Sequence, residues 1–163
     1  MSLTLTFDVT ALPKGAIKDI LAAPSAVAGL ANTGQAQTVI GLIETQPLDA
    51  QKDILAAPYA VRGLVDNGQA QTVVDLIKTQ PLDAQKDILA APSAVAGLAN
   101  TGQAQTVVDS LKALPPDAQK DILAVPHAVL GLEKNGQAQV VADIKAGWNR
   151  PKVHLMCTKM ALS

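Results

Sequence analysis

Lys18-Asp19-Ile20-Leu21-Ala22, Lys52-Asp53-Ile54-Leu55-Ala56, Lys86-Asp87-Ile88-Leu89-Ala90 and Lys120-Asp121-Ile122-Leu123-Ala124 are one pentapeptide written four times, each copy 34 residues after the last. Working outward from it, each unit begins at a proline and spans 13–46, 47–80, 81–114 or 115–148. Twelve residues precede the units and 15 follow, and no insertion breaks the register. Units two and three agree at 25 of 34 positions, which identifies them as duplicates. A fixed period of this length marks an array of stacked structural units, each too small to bury a core by itself.

Within a unit the pattern reads as three helical segments. In unit two the first is PLDAQKDILAA, with Asp49 expected as its N-cap and Ile54 and Leu55 as its apolar residues. It should stop near Ala57, because a proline biases the preceding residue away from the helical region. Pro58 and its equivalents Pro24, Pro92 and Pro126 are expected to open the second segment, PYAVRGLV, with Val61 and Leu64 at helical spacing. Asn67-Gly68 should end that segment, glycine supplying a positive φ. The third, QAQTVVDLIKT, sets Ala70, Val73, Val74 and Ile77 on one face. Whether the first two segments are one kinked helix or two is left open by the sequence.

Composition agrees with a thin, closely packed core. The chain is 48% hydrophobic but only 2% aromatic (Phe7, Tyr59, Trp148), and it holds 28 alanines, which let helices approach closely. The expected fold is all-α: a right-handed α-solenoid of four 34-residue units, with a short terminal β-strand. Residues 1–12 carry the strand pattern, Leu3, Leu5, Phe7 and Val9 alternating with Thr4, Thr6, Asp8 and Thr10, and are expected to cap the array. Residues 149–163 form a basic tail with a β-prone stretch at 153–158. A homodimer joined through these terminal segments is the alternative to capping.

The 13 basic and 14 acidic residues give a net charge near −1, so no bulk attraction to nucleic acid or anionic membrane is expected. No apolar run reaches membrane-spanning length, and the first residues lack the features of a signal peptide. The expectation is a soluble protein of the cytoplasm, which leaves export by a signal-independent route open.

A search for chemistry returns little. His127 and His154 have no acid at metal-ligand or triad spacing, and no zinc, phosphate-loop or nucleophile-elbow motif occurs. Cys157 is single, so neither a disulfide nor a cysteine-based zinc site within the chain is expected. The row Asp19, Asp53, Asp87 and Asp121 recurs beside lysine in every unit, as a structural feature would. The expectation is a non-enzymatic protein with no cofactor and no metal. Glutamines 35, 37, 69, 71, 103, 105, 137 and 139 open the third helices and should hydrogen-bond from unit to unit, or else present helix N-termini to anions.

Variation between copies points to a binding surface. The prolines, Ala-Val, Gly-Leu and Gly-Gln-Ala-Gln are constant. Three positions vary: Ser25, Tyr59, Ser93, His127; Ala28, Arg62, Ala96, Leu130; and Asn32, Asp66, Asn100, Lys134. Offsets of three and four place them on one exposed helical stripe. Ser25, Tyr59, Arg62, Asp66, Ser93, His127, Leu130 and Lys134 are therefore the candidate contacts to a protein or peptide partner, with Tyr59 and Arg62 as anchors. The competing explanation is free drift at solvent-facing positions.

The run Pro92, Val95, Leu98, Ala99, Asn100, Thr101, Gly102 resembles the first helix and base-reading loop of transcription-activator-like effector repeats, which share the 34-residue period. In that resemblance Asn32-Thr33, Asp66-Asn67, Asn100-Thr101 and Lys134-Asn135 occupy the variable loop pair, and a nucleic-acid partner is implied. The chain departs from the family's pattern in having glutamine for the usual lysine after the glycine and a proline dividing the second helix.

Overall fold

The computed structural model describes residues 12–148, and these form an all-helical repeat array. Unit one contains α1 (Lys14–Leu21), α2 (Ala26–Leu30) and α3 (Ala36–Glu44). Unit two contains α4 (Leu48–Leu55), α5 (Ala60–Leu64) and α6 (Ala70–Lys78). Unit three contains α7 (Leu82–Leu89), α8 (Ala94–Leu98) and α9 (Ala104–Lys112). Unit four contains α10 (Pro116–Leu123), α11 (Ala128–Leu132) and α12 (Ala138–Trp148). The expected terminal strands, the basic tail, Cys157 and His154 lie outside the described residues.

Each first helix starts after a proline, not at the expected aspartate. Pro47, Pro81 and Pro115 are extended at the N-cap position, and Asp49 and Asp83 sit in the first turn, accepting a hydrogen bond from the next residue's amide. The acid still favours the helix, by meeting the positive end of its dipole.

The first two segments are separate helices. Between them the chain makes a tight turn in which the amide of Ala60 donates to the carbonyl of Ala57 at 3.2 Å, and the residue after Pro58 has φ 66 and ψ 5. That is a type II turn with proline at its first central position. The same hydrogen bond closes the turn in the other three units, at 3.1–3.2 Å. The four prolines thus lie in turns two residues ahead of α2, α5, α8 and α11. This corrects the expectation that they open those helices, because one left-handed residue must intervene. At the far end Gly34, Gly68, Gly102 and Gly136 take φ near 90 and bend the chain into the third helix, as the Asn67-Gly68 pattern predicts.

Packing is between units. Val61, Leu64, Val73, Val74 and Ile77 are buried, along with their equivalents in unit three, and Leu76 joins them. Each short helix packs on its successor, α2 on α5, α5 on α8 and α8 on α11, while α1, α4, α7 and α10 form a second row. One continuous core runs through all four units. Along the first-helix row each lysine binds the aspartate of the following unit: Lys18 to Asp53, Lys52 to Asp87 and Lys86 to Asp121, at 3.2–3.5 Å. Lys120, last in the row, instead stands over the Trp148 ring, 5.8 Å from its centre.

Candidate interaction surface

The short helices and the turns before them carry the variable positions, and the structure divides these into three kinds. Ser25, Tyr59, Ser93 and His127 occupy the left-handed turn residue, with φ from 63 to 69. They precede their helices and do not ride on them. Tyr59 is 47% exposed, Ser25 and His127 are exposed and Ser93 is half-buried. The stacking of α2, α5, α8 and α11 sets the four along one edge of the array. Their backbones are joined at the first junction, where the Ser25 amide donates to the Pro58 carbonyl at 3.3 Å.

The second kind faces a neighbouring unit. A Cβ built on Gly63 would lie 2.5 Å from the Ala28 Cα, one on Gly97 2.7 Å from the Arg62 Cδ, and one on Gly131 3.0 Å from the Ala96 Cα. Ala28, Arg62 and Ala96 therefore pack against the glycine of the next unit, and Ala96 is only 6% exposed. This corrects the expectation of one solvent-facing stripe: a five-residue helix clamped between two neighbours has no face left for position 28 or its equivalents except the junction. Leu130, with no described unit beyond it, is 51% exposed.

The third kind, Asn32, Asp66, Asn100 and Lys134, is exposed at the bend into the third helix. Arg62 Nε donates to Asp66 Oδ2 at 2.6 Å, an i, i+4 pair present only in unit two. The proposed anchor is thus already engaged by its own helix turn. Nearby, Asn67 Nδ2 donates to Asn32 Oδ1 at 2.7 Å and Asn135 Nδ2 to Asn100 Oδ1 at 2.9 Å. Gln69 bridges to Gln37 at 3.2 Å and Gln137 to Gln105 at 3.3 Å. The glutamine ladder forms at the first and third junctions. At the second, Asp66 and Thr101 take the places of the paired asparagines, and Thr101 Oγ1 turns back to the Gly97 carbonyl at 2.9 Å.

A second set of glutamines was missed by sequence reasoning. Gln46, Gln51 and Gln80 are buried; Gln46 donates to the Lys14 carbonyl at 3.0 Å and Gln80 to Gln51 Oε1 at 3.3 Å, each within its own unit. Gln51 donates to the Gln46 carbonyl and Gln85 to the Gln80 carbonyl, each at 2.9 Å, and Gln119 donates to the Leu111 and Leu114 carbonyls. The signal is the constant Asp-Ala-Gln of units two to four, in which only Asp49 stands out by sequence reasoning, as an N-cap. Trp148 ends the series by donating its indole N–H to Gln119 Oε1 at 2.7 Å.

Electrostatically the marked groups are the lysines of the first-helix row. Partial burial pulls Lys52 down, but hydrogen bonds and charge from Asp53 and then Asp87 outweigh it, and its pKa is raised above 10.5. Lys86 is raised chiefly by its hydrogen bond to Asp121. Among the described residues no group of His, Cys, Asp and Glu converges as metal ligands, and no helix is long and apolar enough to cross a membrane. Compared with models of protein families, with curated proteins and with solved structures, the chain matches none.

Proposed function

We propose that the array is a non-enzymatic scaffold that binds a protein or peptide partner along the edge formed by Ser25, Tyr59, Ser93 and His127. The observation that supports this reading is the backbone at those positions. All four are non-glycine residues held at positive φ, where a side chain costs on the order of 1 kcal/mol and glycine costs nothing. A serine, a tyrosine and a histidine in that place supply hydrogen-bonding groups and aromatic surface at an exposed edge. Tyrosine in particular is a residue type enriched among contacts that dominate binding energy.

The test is selection of peptides from a random library on the immobilised protein, followed by competition with Tyr59→Gly and His127→Gly. Peptides that bind the parent and are lost on both variants support the reading. Peptides that bind all three proteins alike, or no enrichment, defeat it.

A second reading, nucleic-acid binding, is favoured by one observation: all residues of the effector-like loop pairs except the half-buried Thr101 are exposed at successive bends, each before a third helix of nine residues or more. Its mark is affinity for mixed DNA or RNA that falls steeply with salt and persists in the two glycine variants.

A further inference from the structure

The first-helix row carries a groove that the variable edge does not touch. It lies between α7 and α10, has a volume of about 540 Å³, and is floored by Leu82, Leu114, Pro115 and Ala118. Leu82 is 49% exposed and its equivalent Leu48, one unit earlier, 47% exposed, two large apolar side chains beside the carboxylates of the same helices. The groove holds four carboxylates, Asp83, Asp87, Asp117 and Asp121, against the single ammonium of Lys86. Lys86 binds Asp87 and Asp121, and Lys52 of the preceding unit also binds Asp87, which leaves four carboxylates facing two ammonium groups. Asp83, Asp117 and the preceding Asp49 have no cation within ion-pair distance among the described residues, and they hold the same place in α4, α7 and α10, where α1 has Gly15.

We infer that this face, distinct from the edge proposed above, takes an extended peptide segment with a lysine or arginine at every third position and apolar residues between. Packed helices stand ~8–10 Å apart, so Asp49, Asp83 and Asp117 form a row with about that spacing. A polyproline II strand rises ~3.1 Å per residue and returns to the same face every third residue, about 9 Å on. Its cations meet one aspartate per unit, while its apolar residues lie on Leu48 and Leu82. The excess of carboxylate over ammonium selects a basic segment over an acidic one.

The experiment titrates the full chain with a fluorescent peptide of four Lys-Pro-Leu triplets, followed by anisotropy. A second peptide of the same composition has its lysines together at one end, and a third has glutamate for lysine. The inference expects saturable binding of the first peptide and none of the third. The clustered peptide should bind about tenfold more weakly, as should the first peptide to Asp83→Asn/Asp117→Asn and to Leu48→Ser/Leu82→Ser, with each tenfold read directly as a ratio of Kd. All substituted side chains are at the surface, and circular dichroism checks that the variants keep their helices. Tyr59→Gly should bind the triplet peptide as the parent does, which separates this face from the variable edge. Equal affinity for the clustered and spaced peptides, or no loss on Leu48→Ser/Leu82→Ser, reduces the face to plain charge attraction and overturns the inference. No binding overturns it too, as does dimerisation that Leu48→Ser/Leu82→Ser abolishes, since the occupant is then a second copy of the chain.

Discussion

Gly29, Gly63, Gly97 and Gly131 are one residue in four copies, yet among the described residues only three of them have a neighbour to meet. A Cβ on Gly29 finds nothing within 4 Å, whereas one on Gly63 runs into the backbone of Ala28. Gly29→Ala should therefore raise stability by up to ~1 kcal/mol through helix propensity alone. Gly63→Ala should lower it by about 1–3 kcal/mol through overpacking, with Gly97→Ala between them because the Arg62 side chain can shift. Urea midpoints order the three, and a Gly63→Ala protein as stable as the parent would show that the junction is looser than described. Tyr59→Gly makes a second residue-scale prediction. Relief of the left-handed strain and the added freedom of the unfolded chain are both near 1 kcal/mol, so thermal stability should move little. These roles were only partly legible in the sequence. The constancy of Gly-Leu signalled a structural demand, but the positive φ of Ser25, Tyr59, Ser93 and His127 was hidden, since none is a residue type that announces it.

At the scale of elements, the three segments per unit and their apolar residues followed from period and punctuation. What did not follow was the geometry at their joints. Proline predicts where a helix cannot continue, but it cannot say whether the next one starts at once or after a turn. Likewise the offsets 25, 28 and 32 describe one stripe only on an isolated helix. In the array the short helix is packed on two sides, which sends Ala96 inward and leaves Tyr59 outside. The first-helix row yields a prediction in pH. Lys52 and Lys86 have folded-state pKa values above 10.5, so the stability they contribute is fully present below pH 10.5. It is lost as pH rises through their raised values, where the ammonium must be given up. Melting temperatures should hold between pH 8 and 10 and drop above about 10.5, and Lys52→Gln/Lys86→Gln should drop less. An equal drop in both proteins would mean that other groups govern the alkaline limb.

For the whole molecule, stability should grow by addition. Among the described residues the helices in close contact belong to the same or to adjacent units, so an extra copy of residues 81–114 placed after position 114 adds one junction without disturbing the others. The five-unit protein should unfold at higher urea, with a steeper dependence on denaturant because more surface is exposed on unfolding. An unchanged midpoint would show that the units do not share one cooperative core. The identical spacing of the four copies makes this architecture legible in the sequence.

The glycine at each junction has one more consequence. Because one side of every contact is bare backbone, the separation of two layers is set by what is pressed against it: alanine at the first and third junctions, arginine with Val65 at the second. Each such residue acts as a spacer of its own thickness. The spacing of the layers can thus be retuned one at a time by point substitution at 28, 62 or 96, with the large aliphatic side chains of the core left as they are.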